Sequence, residues 1–173
     1  MEKNYYNEKE YESLREEIIK RIEIRHQIIF TNITLSGIIM GFGINMPDLS
    51  FIFPPLAFAL TLMWAQNDLR ALQISDYLQS FENNDTKLGW ITFYKKIQGK
   101  SSFKLFWPIS ILAPGSMFFL TSVMSMGIGL FHFKCTFFSW TLLILDILSI
   151  IGIIVMMILA KKQRVSRRTN NNV

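Results

Sequence analysis

Cysteine is almost absent from this chain: Cys135 stands alone among 173 residues, so no internal disulfide forms and the redox compartment stays unread. Histidine occurs only at His26 and His132, and neither stands at metal-ligand spacing from the other or from Cys135. There is no Gly-rich phosphate loop and no nucleophile set beside a base. The expectation is a protein that is no enzyme, with no catalytic residue, no metal site and no cofactor. Charge is missing in another way. None occurs from Ile28 to Met46, and none from Leu49 to Asn67 except that Asp68 follows at once.

Those charge-free runs organise the chain. The nineteen residues from Ile28 to Met46, at about 1.5 Å rise each, match the thickness of a hydrocarbon core. The return leg, Leu49 to Gln66, is nearly as long, and the short Pro47–Ser50 turn joins the two as a hairpin. In lipid every backbone amide must be paired internally, which makes both legs helices. A second hairpin follows, with Leu105–Phe133 and Phe137–Ala160 as its legs and Asp146 as its one acid. The expected fold is all-α: an integral membrane protein with four transmembrane helices as two hairpins, plus cytoplasmic amphipathic helices. Its parts are an N-terminal helix (1–27), hairpin 1 (28–66), a cytoplasmic helical loop (67–104), hairpin 2 (105–160) and a basic tail (161–173).

Charge placement sets the orientation. Of the eighteen Lys and Arg, all but Lys134 fall before Ile28, between Asn67 and Lys104, or after Ala160. The positive-inside rule puts these segments, and both termini, in the cytoplasm of a bacterial inner membrane. Trp64 and Trp107 then mark the inner boundary and Trp140 the outer one. The net charge of +5 is explained by anionic headgroups without invoking nucleic acid. A cleaved signal peptide is not expected, because an acid-rich segment precedes the first span and no small-residue cleavage site follows it.

Along the chain, Asn7 and Glu10 have the spacing of a capping box, and Tyr11, Leu14, Ile18 and Ile22 form an apolar stripe. Glu16–Lys20 and Glu17–Arg21 are favourable i,i+4 pairs. Arg21, Arg25 and His26 read as headgroup anchors. The R-x4-H spacing of Arg21 and His26 also occurs in RNA-cleaving helical domains, which need a soluble bundle around the site. In the first span Thr34, Gly37, Gly41 and Asn45 make a small-residue face suited to close helix packing, with Asn32 and Ser36 on a neighbouring face. Thr121, Ser125 and Gly129 repeat the device in the third span, whose cytoplasmic half Pro108 and Pro114 are expected to kink. Beyond Gly89, Trp90, Phe93, Tyr94 and Ile97 form a stripe flanked by Lys95, Lys96 and Lys100. Two readings stand for it: an interfacial helix on anionic lipid, or a collar in which Arg70 and these lysines hold an anionic nucleotide or oligonucleotide while Trp90 or Tyr94 stacks on a base.

The segments RIEIRHQI (Arg21–Ile28), PPLAFAL (Pro54–Leu60) and WAQNDLRALQI (Trp64–Ile74), with Tyr77 and Gly89-Trp90, carry a resemblance. This region is similar to a broad group of small bacterial four-pass proteins of the anti-phage defence effector type. The membrane effector of the Hailong system and the membrane sensor of the Kiwa system are the nearest in kind. The Trp-Ala-x-x-Asp-x-Arg piece is its most specific part, and hairpin 2 takes no share in it. The resemblance implies a small channel-like protein held closed or opened by a nucleotide or nucleic-acid signal.

Three classes of function follow: a homo-oligomeric pore or ion channel, a non-conducting sensor or scaffold that recruits a cytoplasmic partner protein, and a small transporter. A transporter usually shows an internal repeat, and the two hairpins share none. The expected pore would use Asp146, Ser149, Asn32 and Asn45 for conduction and gating, with Gly37, Gly41, Ser125 and Gly129 packing helices. Asp146 is expected to line an outer vestibule of the assembled pore. Its other reading is a protonated acid bonded to a neighbouring helix within one subunit.

Overall fold

The computed structural model describes residues 2–84, 106–131, 133 and 136–170. Every element among them is a helix: α1 (Glu2–Gly43), the one-turn α2 (Pro47–Ser50), α3 (Phe53–Asn84), α4 (Phe106–Phe131) and α5 (Phe137–Asn170). Three stretches are long and apolar enough to cross a membrane: Pro47–Leu78 with 32 residues, Ala113–Phe131 with 19 and Phe137–Gln163 with 27. These are the dimensions and composition of a membrane protein. The remaining apolar run is shortened by its own turn. α1 stops at Gly43, where the amides of Asn45 and Met46 both bond the Phe42 carbonyl at 3.1 and 2.9 Å. The three residues that complete the run in sequence are therefore turn, not helix. Pro47 then opens α2 at a position where a missing amide costs nothing.

The chain divides into two compact units, Met1–His26 with Gln66–Ile109, and Gln27–Ala65 with Ser110–Val173. In the second, apolar unit each helix buries a narrow stripe. On α1 this stripe is Ile28, Asn32, Ser36 and Gly43, and on α5 it is Ser139, Asp146, Ser149, Ile153 and Ala160. Small residues let the helices approach. A Cβ on Gly129 would lie 2.7 Å from the Phe51 ring, and one on Gly152 would lie 2.6 Å from Phe58. Gly43 is likewise closed against Ser50, and Gly115 against Met157. Association by close backbone approach is what lipid demands, since apolar side chains gain nothing there by leaving water. The outward surface agrees: Phe30, Phe42, Phe131, Phe137 and Phe138 are all exposed. Trp64, expected at the inner boundary, has its ring buried within the chain. Pro108 falls in the first turn of α4, where it interrupts no helical bond, so only Pro114 inside the helix removes one.

In the charged unit α1 pairs antiparallel with α3. The Tyr77 hydroxyl donates to Glu10 Oε1 at 3.1 Å, Arg21 donates to Asn67 Oδ1 at 3.3 Å, and Arg25 forms an ion pair with Asp68. The expected Glu17–Arg21 pair is present, with Arg21 Nε donating at 2.9 Å. Tyr11, Leu14 and Ile18 are half-buried, whereas Ile22 is exposed. Asn7 lies inside α1, which begins at Glu2, so it does not cap the helix.

Candidate functional site

The apolar unit has a polar interior. Asn32, Ser36, Ser50, Thr61, Ser122, Ser125, Ser139, Asp146 and Ser149 are all buried, and every helix of the unit contributes. The reason is local in most cases. A serine or threonine in a helix can donate to its own preceding turn, and so enters an apolar interior without stranding its hydroxyl. Thr61 donates to the Ala57 carbonyl at 2.8 Å, Ser122 to Phe118 at 2.7 Å, and Ser149 to Leu145 at 2.8 Å. Among the described residues, side-chain bonds also tie helices together. Asn32 Nδ2 donates to Thr121 Oγ1 at 3.2 Å, and Ser125 Oγ donates to the Ser50 carbonyl at 2.7 Å.

Asp146 is different in kind. It has no exposed surface, and neither carboxyl oxygen has a hydrogen-bond partner among the described residues. An acid ionised at mid-bilayer costs about 2.5–3.5 kcal/mol on insertion scales, and a buried unpaired charge tends to neutralise instead. Ser50 Oγ and Asn32 Oδ1 are likewise buried without partners. The register of α4 against α5 locates the carboxyl. The Phe133 and Trp140 rings meet edge-to-face at 5.4 Å, and further in Gly115 abuts Met157. Asp146 lies six residues past Trp140, which on antiparallel α4 corresponds to about Gly127, within one turn of Ser125. Asp146, Ser125 and Ser50 thus share one level of the unit.

The other sequence candidates distribute as follows. Ser149 and Asn32 are interior, but Asn45 is exposed in the turn after α1 and cannot serve Asp146 within the chain. Ser125 and Gly129 pack inside the chain. Gly37 and Gly41 do not: both are exposed, and a Cβ on either would meet nothing within 4 Å. The face of α1 that turns inward is therefore the Asn32–Ser36 face, because Asn32 finds Thr121 there. Asp146 is closed off inside one chain, so copies around a shared axis would not reach it in this arrangement. Arg70 is exposed. Trp90, Tyr94, Lys95, Lys96 and Lys100, like Cys135, lie outside the described residues.

One pair was not anticipated. Arg25 is bound to Asp68, whose side chain is 2% exposed against 23% for Arg25, and so is not a free headgroup anchor. The signal was present in the sequence, since Arg25 precedes Met46 by as many residues as Asp68 follows Pro47. A hairpin folded at that turn brings the two together. The Trp64-Ala65-x-x-Asp68-x-Arg70 motif thereby has a structural reading: its first three named residues are buried and only Arg70 faces outward. No family model, curated protein or solved structure matches this chain.

Proposed function

We propose that this chain is the subunit of a homo-oligomeric pore or ion channel in the bacterial inner membrane. It crosses four times with both termini inside, and a partner or an anionic nucleotide or oligonucleotide signal gates it from the cytoplasm. The observation that carries this reading is Asp146, a buried carboxyl without a partner among the described residues, set in a polar interior among apolar helices. Intramembrane acids of this kind mark ion and proton pathways. The exposed Gly37–Gly41 face supports assembly, because it is shaped for close helix contact and no described residue covers it. α1 supplies the fourth span if the turn residues Ile44–Met46 also lie within the bilayer. The anti-phage role rests on the resemblance carried by Arg21–Ile28 and Trp64–Ile74.

A second reading, a non-conducting sensor or scaffold that recruits a cytoplasmic partner, is favoured by the complete burial of Asp146 within one chain. Expression in bacteria with a membrane-impermeant dye separates the two. A pore arrests growth and admits dye, and Asp146→Asn alters the rate of entry while the protein stays in the membrane. Cells that keep the dye out while the chain co-purifies with a soluble partner would establish the scaffold instead.

A further inference from the structure

We infer that the ligand of the Asp146 site is a proton: in the closed state this carboxyl is a neutral acid sealed inside the apolar unit. The inference rests on the membrane reading of that unit, but not on its conducting ions.

Three observations carry it. The first is geometric. Asp146 has no exposed surface, and both its oxygens lack partners among the described residues. The second concerns what surrounds it. Asp146 is the one charged or titratable residue in its own helix from Phe137 to Ala160, and α1 beyond His26, α3 from Phe53 to Ala65 and α4 contain none. The acid of α2, Asp48, is exposed, and His132 and Lys134 in the outer turn lie outside the described residues. No counter-charge is therefore supplied from the apolar spans of the unit, since the basic residues of α5 begin only at Lys161, fifteen residues past Asp146. The third observation concerns metal ions: no group of three or more His, Cys, Asp or Glu that could hold one occurs among the described residues. A proton needs only the carboxyl itself.

The consequence is a coupling. Releasing the proton leaves a bare charge in an apolar interior, which is tolerable only if water or a cation enters with the loss. Ionisation of Asp146 and hydration of the polar interior are then one event, and the neutral acid holds the closed state.

Carbodiimide chemistry tests this directly. A protonated carboxyl gives its proton to a carbodiimide nitrogen, and its oxygen then adds to the central carbon. The O-acylurea so formed rearranges, away from water, to a stable N-acylurea, so the whole reagent is added and nothing leaves. The full chain, purified and placed in vesicles of neutral lipid, is treated with dicyclohexylcarbodiimide or with a water-soluble carbodiimide, from mildly acidic to mildly alkaline pH. The expected result is one apolar reagent per chain, mapped to Asp146 by mass spectrometry. Labelling should persist at pH values where exposed acids have stopped reacting, and the water-soluble reagent should leave Asp146 untouched. Asp146→Asn, a neutral isostere, should keep the wild-type melting temperature across the same range. Asp146 unmodified by the apolar reagent at every pH, modified by the water-soluble one, or replaced by Asn only with loss of stability would each overturn the proposal. Labelling without conduction would sink the pore and leave the proton site standing. Conduction without labelling would do the reverse.

Discussion

Removing either member of the Arg25–Asp68 pair should destabilise the charged unit, and by unequal amounts. Breaking a buried ion pair from one side costs about 3–5 kcal/mol, because the surviving charge remains desolvated. The two survivors here differ. Without Arg25, the Asp68 carboxylate keeps its 2% exposure and loses the guanidinium beside it. Without Asp68, Arg25 starts from 23% exposure and has a flexible stem that turns its guanidinium towards water or headgroups. We therefore expect Arg25→Gln to cost about 3 kcal/mol, at the lower end of the buried range, and Asp68→Asn about 1–2 kcal/mol after allowing for that partial solvation. The double variant should recover part of the loss, with a coupling of about 1–2 kcal/mol between neighbours that share one interaction. Equilibrium unfolding of detergent-solubilised protein, followed by circular dichroism, measures all three. If Asp68→Asn proves the costlier substitution, or both singles fall within about 0.5 kcal/mol of wild type as ordinary surface changes do, the buried pair does not hold these helices together.

Other expectations follow from particular contacts. Gly129→Ala, whose new Cβ would meet the Phe51 ring at 2.7 Å, should destabilise by about 1–3 kcal/mol through overpacking, while Gly37→Ala, with open space around it, should leave the thermal stability of the dissociated chain unchanged or slightly raised. Gly37→Leu and Gly41→Leu should lower the mass of the assembly in mild detergent, and an unchanged mass would remove that face from the contact between copies. Reporters fused after Val173 and inserted near Asn84 should both behave as cytoplasmic, and an external signal from either would overturn the four-span orientation.

The helical nature of the chain was legible because apolar runs and charge breaks alternate so sharply. Even the long reach of α1 through the charged segment could be read from its uninterrupted spacing. What eluded the sequence was decided by partners far along the chain. α1 offers two small or polar faces, and periodicity cannot choose between them. The choice falls to Asn32 because Thr121 of α4 lies opposite, 89 residues away. Asn45 reads as part of the first span by composition, yet the backbone bonds back to Phe42 place it in the turn. Trp64 and Arg25 carry the chemistry of interfacial anchors, but the first is buried and the second is claimed by Asp68. Asp146 was conspicuous as a lone acid in an apolar run. Its complete enclosure within one chain depends on which face of α5 the other helices cover, which no local pattern records.

The central claim is that ions cross through the apolar unit under the control of Asp146. The most direct measurement is current across a planar bilayer containing the purified chain, with a panel of nucleotides and oligonucleotides applied to the face that bears the basic segments. The account predicts stepwise cation-preferring currents in wild type. It also predicts that Asp146→Asn, folded and assembled to the same extent, passes ions with that preference reduced. Bilayers that stay silent under every condition, or currents whose selectivity ignores Asp146→Asn, would contradict it.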